Sequence, residues 1–144
     1  MNAGLLKDIE KVSNSPIEAL EKAFKKIPAM KKCVIAFTDI EDILLSDIQV
    51  AFPRRKFLEF SDPNEFQEWQ TSDKNYFLVY VGNGYELSGL EFDSMICIFW
   101  KCRDCGDEDT EPLIITRAKA SLVVAKYSKP LCHNCLYRID NANE

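Results

Sequence analysis

The sequence predicts an α+β fold: a mostly antiparallel sheet with N-terminal helices, ending in a module built around paired cysteines. Three observations carry this expectation. Short runs rich in β-branched and aromatic residues, such as "CVIAFT" at 33–38 and "MICIFW" at 95–100, have strand length and turn residues around them. Segments between the early runs space their apolar residues as a helix does and carry helix-start signals. Late in the chain, "KCRDCG" at 101–106 and "LCHNC" at 131–135 each hold two cysteines separated by two residues.

With 144 residues, 47% of them hydrophobic, the chain is long enough to bury one core. The expectation is one domain over 1–144, with 98–139 as an integral metal-binding module.

Leu5, Leu6, Ile9 and Val12 recur at helical spacing and predict a first helix, which "SNSP" ends. A second helix starts at once. Ser15 is its cap, Pro16 fits the first position because its missing N–H would be unpaired there anyway, and Glu18 completes a capping box. Ile17, Leu20, Phe24 and Ile27 share one face; Lys22, Lys25 and Lys26 form the solvated one. "CVIAFT" then reads as a strand. "TDIEDILLSDI" returns to helical spacing through Ile40, Ile43, Leu44 and Ile48, with Thr38 or Asp39 as cap.

"KFLEF" at 56–60 is a strand, and "SDPNEFQEW" repeats the start signal with Asp62, Pro63 and Glu65, so a short helix turns Phe66 and Trp69 inward. In "YFLVYVGNGYEL", Asn83 and Gly84 can take the positive φ of a tight primed turn, predicting a hairpin. "SMICIFW" at 94–100 leads into the first cysteine pair. "PLIIT" at 112–116 and "SLVVAKYS" at 121–128, joined by "RAKA", predict a second hairpin that returns the second pair beside the first.

Cys102, Cys105, Cys132 and Cys135 have the pairwise spacing that places two thiolates from each tight turn on a zinc tetrahedron. Gly106 follows the first pair, where the chain must turn sharply. "CRDCG", "TEPL" at 110–113 and "LCHNCLY" together resemble the GATA-type finger of the treble-clef group, over about a third of the chain. The resemblance implies these four cysteines as ligands of one structural zinc ion, with the second pair opening a short helix at Leu136 and Tyr137. The spacer here is longer, Leu136 stands where that pattern has glycine, and "RIDNANE" is not a basic arm. A zinc ribbon with two knuckles satisfies the same spacing.

Four thiolates close the coordination shell, so the metal is expected to be structural rather than catalytic. His133 is the single histidine, which excludes a histidine-built hydrolase centre. Cys33 and Cys97 sit in apolar runs as small buried hydrophobes, and "GNG" at 82–84 lacks the lysine and the strand-to-helix setting of a phosphate loop.

The net charge is −5, concentrated in residues 61–100, where one Lys/Arg faces seven Asp/Glu. That balance disfavours nonspecific binding to phosphate backbones and favours a basic protein partner. Asp62, Glu65, Glu68 and Asp73 are the candidate contact residues. The expectation is a non-enzymatic, zinc-stabilised protein-binding module of the adaptor, inhibitor or immunity-protein type. The alternative is a nucleic-acid-binding regulator using Arg103, Arg117, Lys119, Lys126 and Arg138 on phosphates; "FPRRKF" at 52–57 is the best basic patch outside the module. A third reading is an enzyme whose carboxylate pair one sequence cannot locate. No apolar run approaches the roughly 20 residues that span a bilayer, and the N-terminus lacks the pattern of a secretory signal. The expected location is therefore the cytosol, where thiols stay reduced.

Overall fold

The computed structural model describes residues 6–26, 33–37, 45–60, 63–72, 77–81, 92–108 and 118–141. In chain order the elements are β1 (Leu6–Asp8), α1 (Pro16–Lys26), β2 (Val34–Phe37), α2 (Leu45–Ala51), β3 (Phe57–Glu59), α3 (Pro63–Thr71), β4 (Phe77–Val81), β5 (Phe92–Cys102), β6 (Ala118–Lys129) and α4 (His133–Asn141). The strands form one six-stranded sheet in the order β1-β6-β5-β2-β4-β3. Every neighbouring pair is parallel.

This corrects the expected mostly antiparallel α+β arrangement: the fold is α/β. Its physical basis is the two-sided burial of the central strands. Residues 34–37 of β2 and 95–99 of β5 are all buried, as near-continuous apolar runs of parallel strands are when helices cover the sheet. Side chains alternate between two cores. Ile35, Phe37, Val79, Ile96, Ile98, Val123 and Ala125 pack with Leu20 and Phe24 of α1 and Ile48 of α2. Val34, Ala36, Leu78, Tyr80, Met95, Cys97, Phe99 and Leu122 pack on the opposite face with Phe66 and Trp69 of α3.

Two further expectations change. The segment expected as a first helix supplies edge strand β1, with Leu6 opposite Leu122. Backbone pairing wins over helical spacing here: Ile9 N–H donates to Val124 O at 2.9 Å and Ser13 N–H to Lys126 O at 2.9 Å. The turn expected at "RAKA" falls largely inside β6, which begins at Ala118 and runs parallel to β5 as far as Cys102 opposite Lys129. The first arm of that hairpin, "PLIIT", lies outside the described residues, as do the "GNG" turn and the segment 38–44.

The start signal of α1 holds in its cap, while the Glu18 carboxylate accepts from the N–H of Asn14, one residue before the Ser15 N–H that a capping box uses. Glu18 N–H donates to Ser15 Oγ at 3.1 Å and Asn14 N–H to Glu18 Oε2 at 3.2 Å. Phe66 and Trp69 face the core from α3.

Candidate metal centre

Because all the strands run the same way, their C-terminal ends share one edge of the sheet, and both cysteine pairs stand there. Cys102 is the last residue of β5. Beyond it the chain reverses within a few residues: Gly106 N–H donates to Cys102 O at 3.1 Å and Cys102 N–H to Asp107 O at 2.7 Å. Gly106 makes that reversal with φ of 79°, a left-handed conformation that favours glycine. Arg103 N–H donates to Lys129 O at 2.7 Å, fastening this first knuckle to the end of β6.

The second knuckle follows β6 after Pro130 and Leu131. Leu136 N–H donates to Cys132 O at 3.0 Å, so Cys132 precedes the first turn of α4 and Cys135 lies within it. The helix therefore starts at His133, ahead of the Leu136 and Tyr137 that the resemblance implied. Cys135 is the buried residue of α4.

These local structures bring four sulfurs together, all within 4.8 Å of one another. The Cys102–Cys135, Cys105–Cys132 and Cys132–Cys135 separations are each 3.6 Å. A zinc–sulfur bond of about 2.3 Å gives a tetrahedron with an edge of about 3.8 Å, so the donors are spaced for one ion. Cys102, Cys132 and Cys135 are 1%, 1% and 2% exposed, whereas Cys105 is on the surface.

The thiols do not ionise alike. Burial raises Cys102, but N–H groups of Cys105 and Cys132, the Cys105 thiol and the Asp104 N–H bring it down to about 6. The Asp107 N–H lowers Cys105, yet desolvation and the neighbouring sulfurs carry it up to about 12. Burial raises Cys135 as well. The Cys102 thiolate forms readily in this cluster while Cys105 and Cys135 resist ionisation, a resistance that a dication at the centre would remove.

Charged groups surround the sulfurs. Arg138 Nη2 donates to Cys135 Sγ at 3.3 Å, and Asp104 Oδ2 accepts from the same thiol at 3.4 Å. Glu108 binds Lys126 at 2.6 Å and Lys101 at 3.4 Å, holding the knuckle's far side to β5 and β6. These contacts were missed in the sequence. Arg138 alone had a signal there, since it is one helical turn after Cys135.

The other expected site residues are dispersed. Arg103 Nε donates to Ser128 Oγ at 3.0 Å, Lys126 is paired with Glu108, and Arg138 is turned to sulfur. Arg117 lies outside the described residues, and Lys119 is in β6. Glu65 and Glu68 are on the exposed side of α3, while Asp62 and Asp73 lie outside the described residues. His133 is exposed. In "FPRRKF", the Arg55 guanidinium sits over the Phe24 ring at 4.1 Å, a packing role. Cys33 and Cys97 are fully buried, and burial raises both thiols. Among the described residues no helix is long and apolar enough to cross a membrane. A shallow depression of about 300 Å³ beside the first knuckle is lined by Val12, Lys101, Cys102, Arg103, Gly106 and Ser128.

The chain matches no known family model, no curated protein and no solved structure.

Proposed function

We propose that the chain is a non-enzymatic, zinc-stabilised protein that works by binding another protein, as an adaptor, inhibitor or immunity protein does. The four-sulfur cluster with its 3.6 Å spacings carries the reading. A metal with four protein thiolates has no position for water or substrate, so its work is to hold chain segments together. Open α/β sheets bind their ligands outside the carboxyl ends of the strands. Here the knuckles occupy that edge over β5 and β6, which supports a clamp in place of a substrate site.

In this reading residues 1–144 are one domain and 98–139 its integral metal module, of treble-clef rather than ribbon type. The support is that the second cysteine pair opens α4, whereas a ribbon built from two hairpin knuckles needs no helix there. The partner surface includes the exposed Glu65 and Glu68, facing a basic protein.

Metal analysis of the purified full chain tests the centre. One zinc per chain is expected; iron, which also suits four thiolates, or no metal overturns the assignment. For the surface, charge reversal at Glu65 and Glu68 is expected to abolish capture of the partner isolated from the native host. Undiminished capture by the reversed variant overturns that surface.

A further inference from the structure

We propose that Cys105 is a site of reversible oxidation by hydroperoxides, which ejects the metal and leaves Cys105 joined to Cys132 in a disulfide. This rests on the metal reading above and adds a chemistry to it.

The cluster is asymmetric in access. Cys102, Cys132 and Cys135 are at most 2% exposed, so an oxidant in solution meets little of their sulfur. Cys105 is exposed and belongs to a surface turn in which residues 103–107 are all exposed. Oxidation of thiolates follows access as well as charge, and metal ligation supplies the thiolate.

The cluster also holds a resolving thiol. Cys132 Sγ is 3.6 Å from Cys105 Sγ, and closing that gap to a disulfide of about 2.05 Å takes a movement of about 1.5 Å. The surface turn can yield that distance, because its side chains are not packed in the core.

The reaction balances as follows. The Cys105 thiolate attacks one oxygen of the hydroperoxide, the O–O bond breaks, and the departing alkoxide takes a proton from water to leave as alcohol. Cys105 is then a sulfenic acid. The Cys132 thiolate attacks its sulfur, the S–S bond forms, the S–O bond breaks, and hydroxide leaves and is protonated. Two thiolates are oxidised by two electrons in total, and one hydroperoxide is reduced to alcohol and water. With Cys105 and Cys132 joined, only Cys102 and Cys135 would remain to hold a metal, too few to retain it. A dithiol reductant reverses the disulfide by exchange and restores the site.

A covalent link thereby replaces a metal link between the same two knuckles. Oxidation is expected to loosen α4, whose buried residue Cys135 loses its ion, without opening the sheet.

The test treats the metal-loaded full chain with tert-butyl hydroperoxide, following metal release with a chromophoric chelator and mapping disulfides by mass spectrometry after alkylation. The expected result is one metal released per disulfide, with Cys105–Cys132 as the first product and recovery on adding dithiothreitol. Cys105→His keeps four ligands in a permitted zinc set, and its release should be at least about tenfold slower. Equal release from Cys105→His, or a Cys102–Cys105 or Cys132–Cys135 disulfide as the first product, overturns this inference alone. The mapping needs no variant, so it decides the matter even if Cys105→His does not fold. A chain purified without metal overturns the metal reading, and this inference with it.

Discussion

Cys105 Sγ and Cys132 Sγ lie 3.6 Å apart although they stand 27 positions apart in the chain. The two halves of the cluster reach that distance by different means. Cys102 and Cys105 are delivered by the end of β5 and a glycine turn, while Cys132 and Cys135 are delivered by the start of α4. The sulfurs and a few hydrogen bonds hold the end of the chain where apolar contacts are sparse: Leu136, Tyr137 and Ile139 of α4 are 42%, 70% and 50% exposed. A metal held by these sulfurs would do there the work that packing does elsewhere in the sheet.

Arg138 should tune the metal. Its Nη2 donates to Cys135 Sγ at 3.3 Å and brings positive charge to a centre that four thiolates make negative. Groups that hydrogen-bond to ligands are commonly worth 10–100-fold in metal affinity. Arg138→Met, which keeps much of the side-chain stem, is therefore expected to weaken zinc binding by roughly tenfold or more, read by competition with a chelator of known affinity. Unchanged affinity would make this contact incidental.

Local chemistry was legible in the sequence and strand direction was not. Ser15, Pro16 and Glu18 announce the start of α1 through side-chain bonds made within one turn, and Phe66 and Trp69 fall three residues apart on α3, which fixes their shared face. The cysteine pairs are also local, each confined to four residues. Direction depends on partners far along the chain. "VIAF" buries both its faces between β4 and β5, and such a run suits either a hairpin arm or a central parallel strand. Likewise, Leu6–Asp8 is a strand only because β6 offers an edge more than a hundred residues later. No local pattern encodes that edge.

Arg55 should behave as a core-capping residue. Its guanidinium lies 4.1 Å from the Phe24 ring centroid and 5.3 Å from that of Phe77, and its carbonyl accepts from Gln49 Nε2 at 2.7 Å. A cation partly withdrawn from water over an aromatic face is worth about 0.5–2 kcal/mol. Arg55→Met retains apolar cover and removes the charge, so thermal denaturation should shift down by roughly 2–6 °C. An unchanged midpoint would show that only the stem contributes.

Glu108 gives the module a defined pH dependence. Its hydrogen bond to Lys126 is the main cause holding its carboxyl below the ordinary range, and Lys101 adds to it. A carboxyl depressed in the folded state contributes stability that is fully present above its unfolded value of about 4.3 and is lost as pH falls through the folded value. Glu108→Gln should therefore melt below the wild type at pH 7, and the two curves should converge as pH drops below about 4. A difference that persists undiminished at lower pH would assign the effect to packing instead of charge.

Thiol reactivity should separate the cluster from the core. Cys33 and Cys97 are 0% exposed, and burial raises both thiols, so neither offers a thiolate to solvent while the sheet is intact. The four cluster cysteines are held by a few hydrogen bonds at one edge and, in the proposed reading, by the metal. With chelator present, an aromatic disulfide reagent near neutral pH is expected to titrate four thiols quickly, leaving the remaining two of the six until denaturant is added. With metal bound, the fast phase should shrink toward Cys105, the exposed member. All six reacting together on chelation would mean that the sheet opens when the ion leaves, making the metal a requirement of the whole α/β fold. Four and two would make it a clamp on the C-terminal module, because the buried faces of β2 and β5 supply enough apolar contact to keep Cys33 and Cys97 enclosed without it.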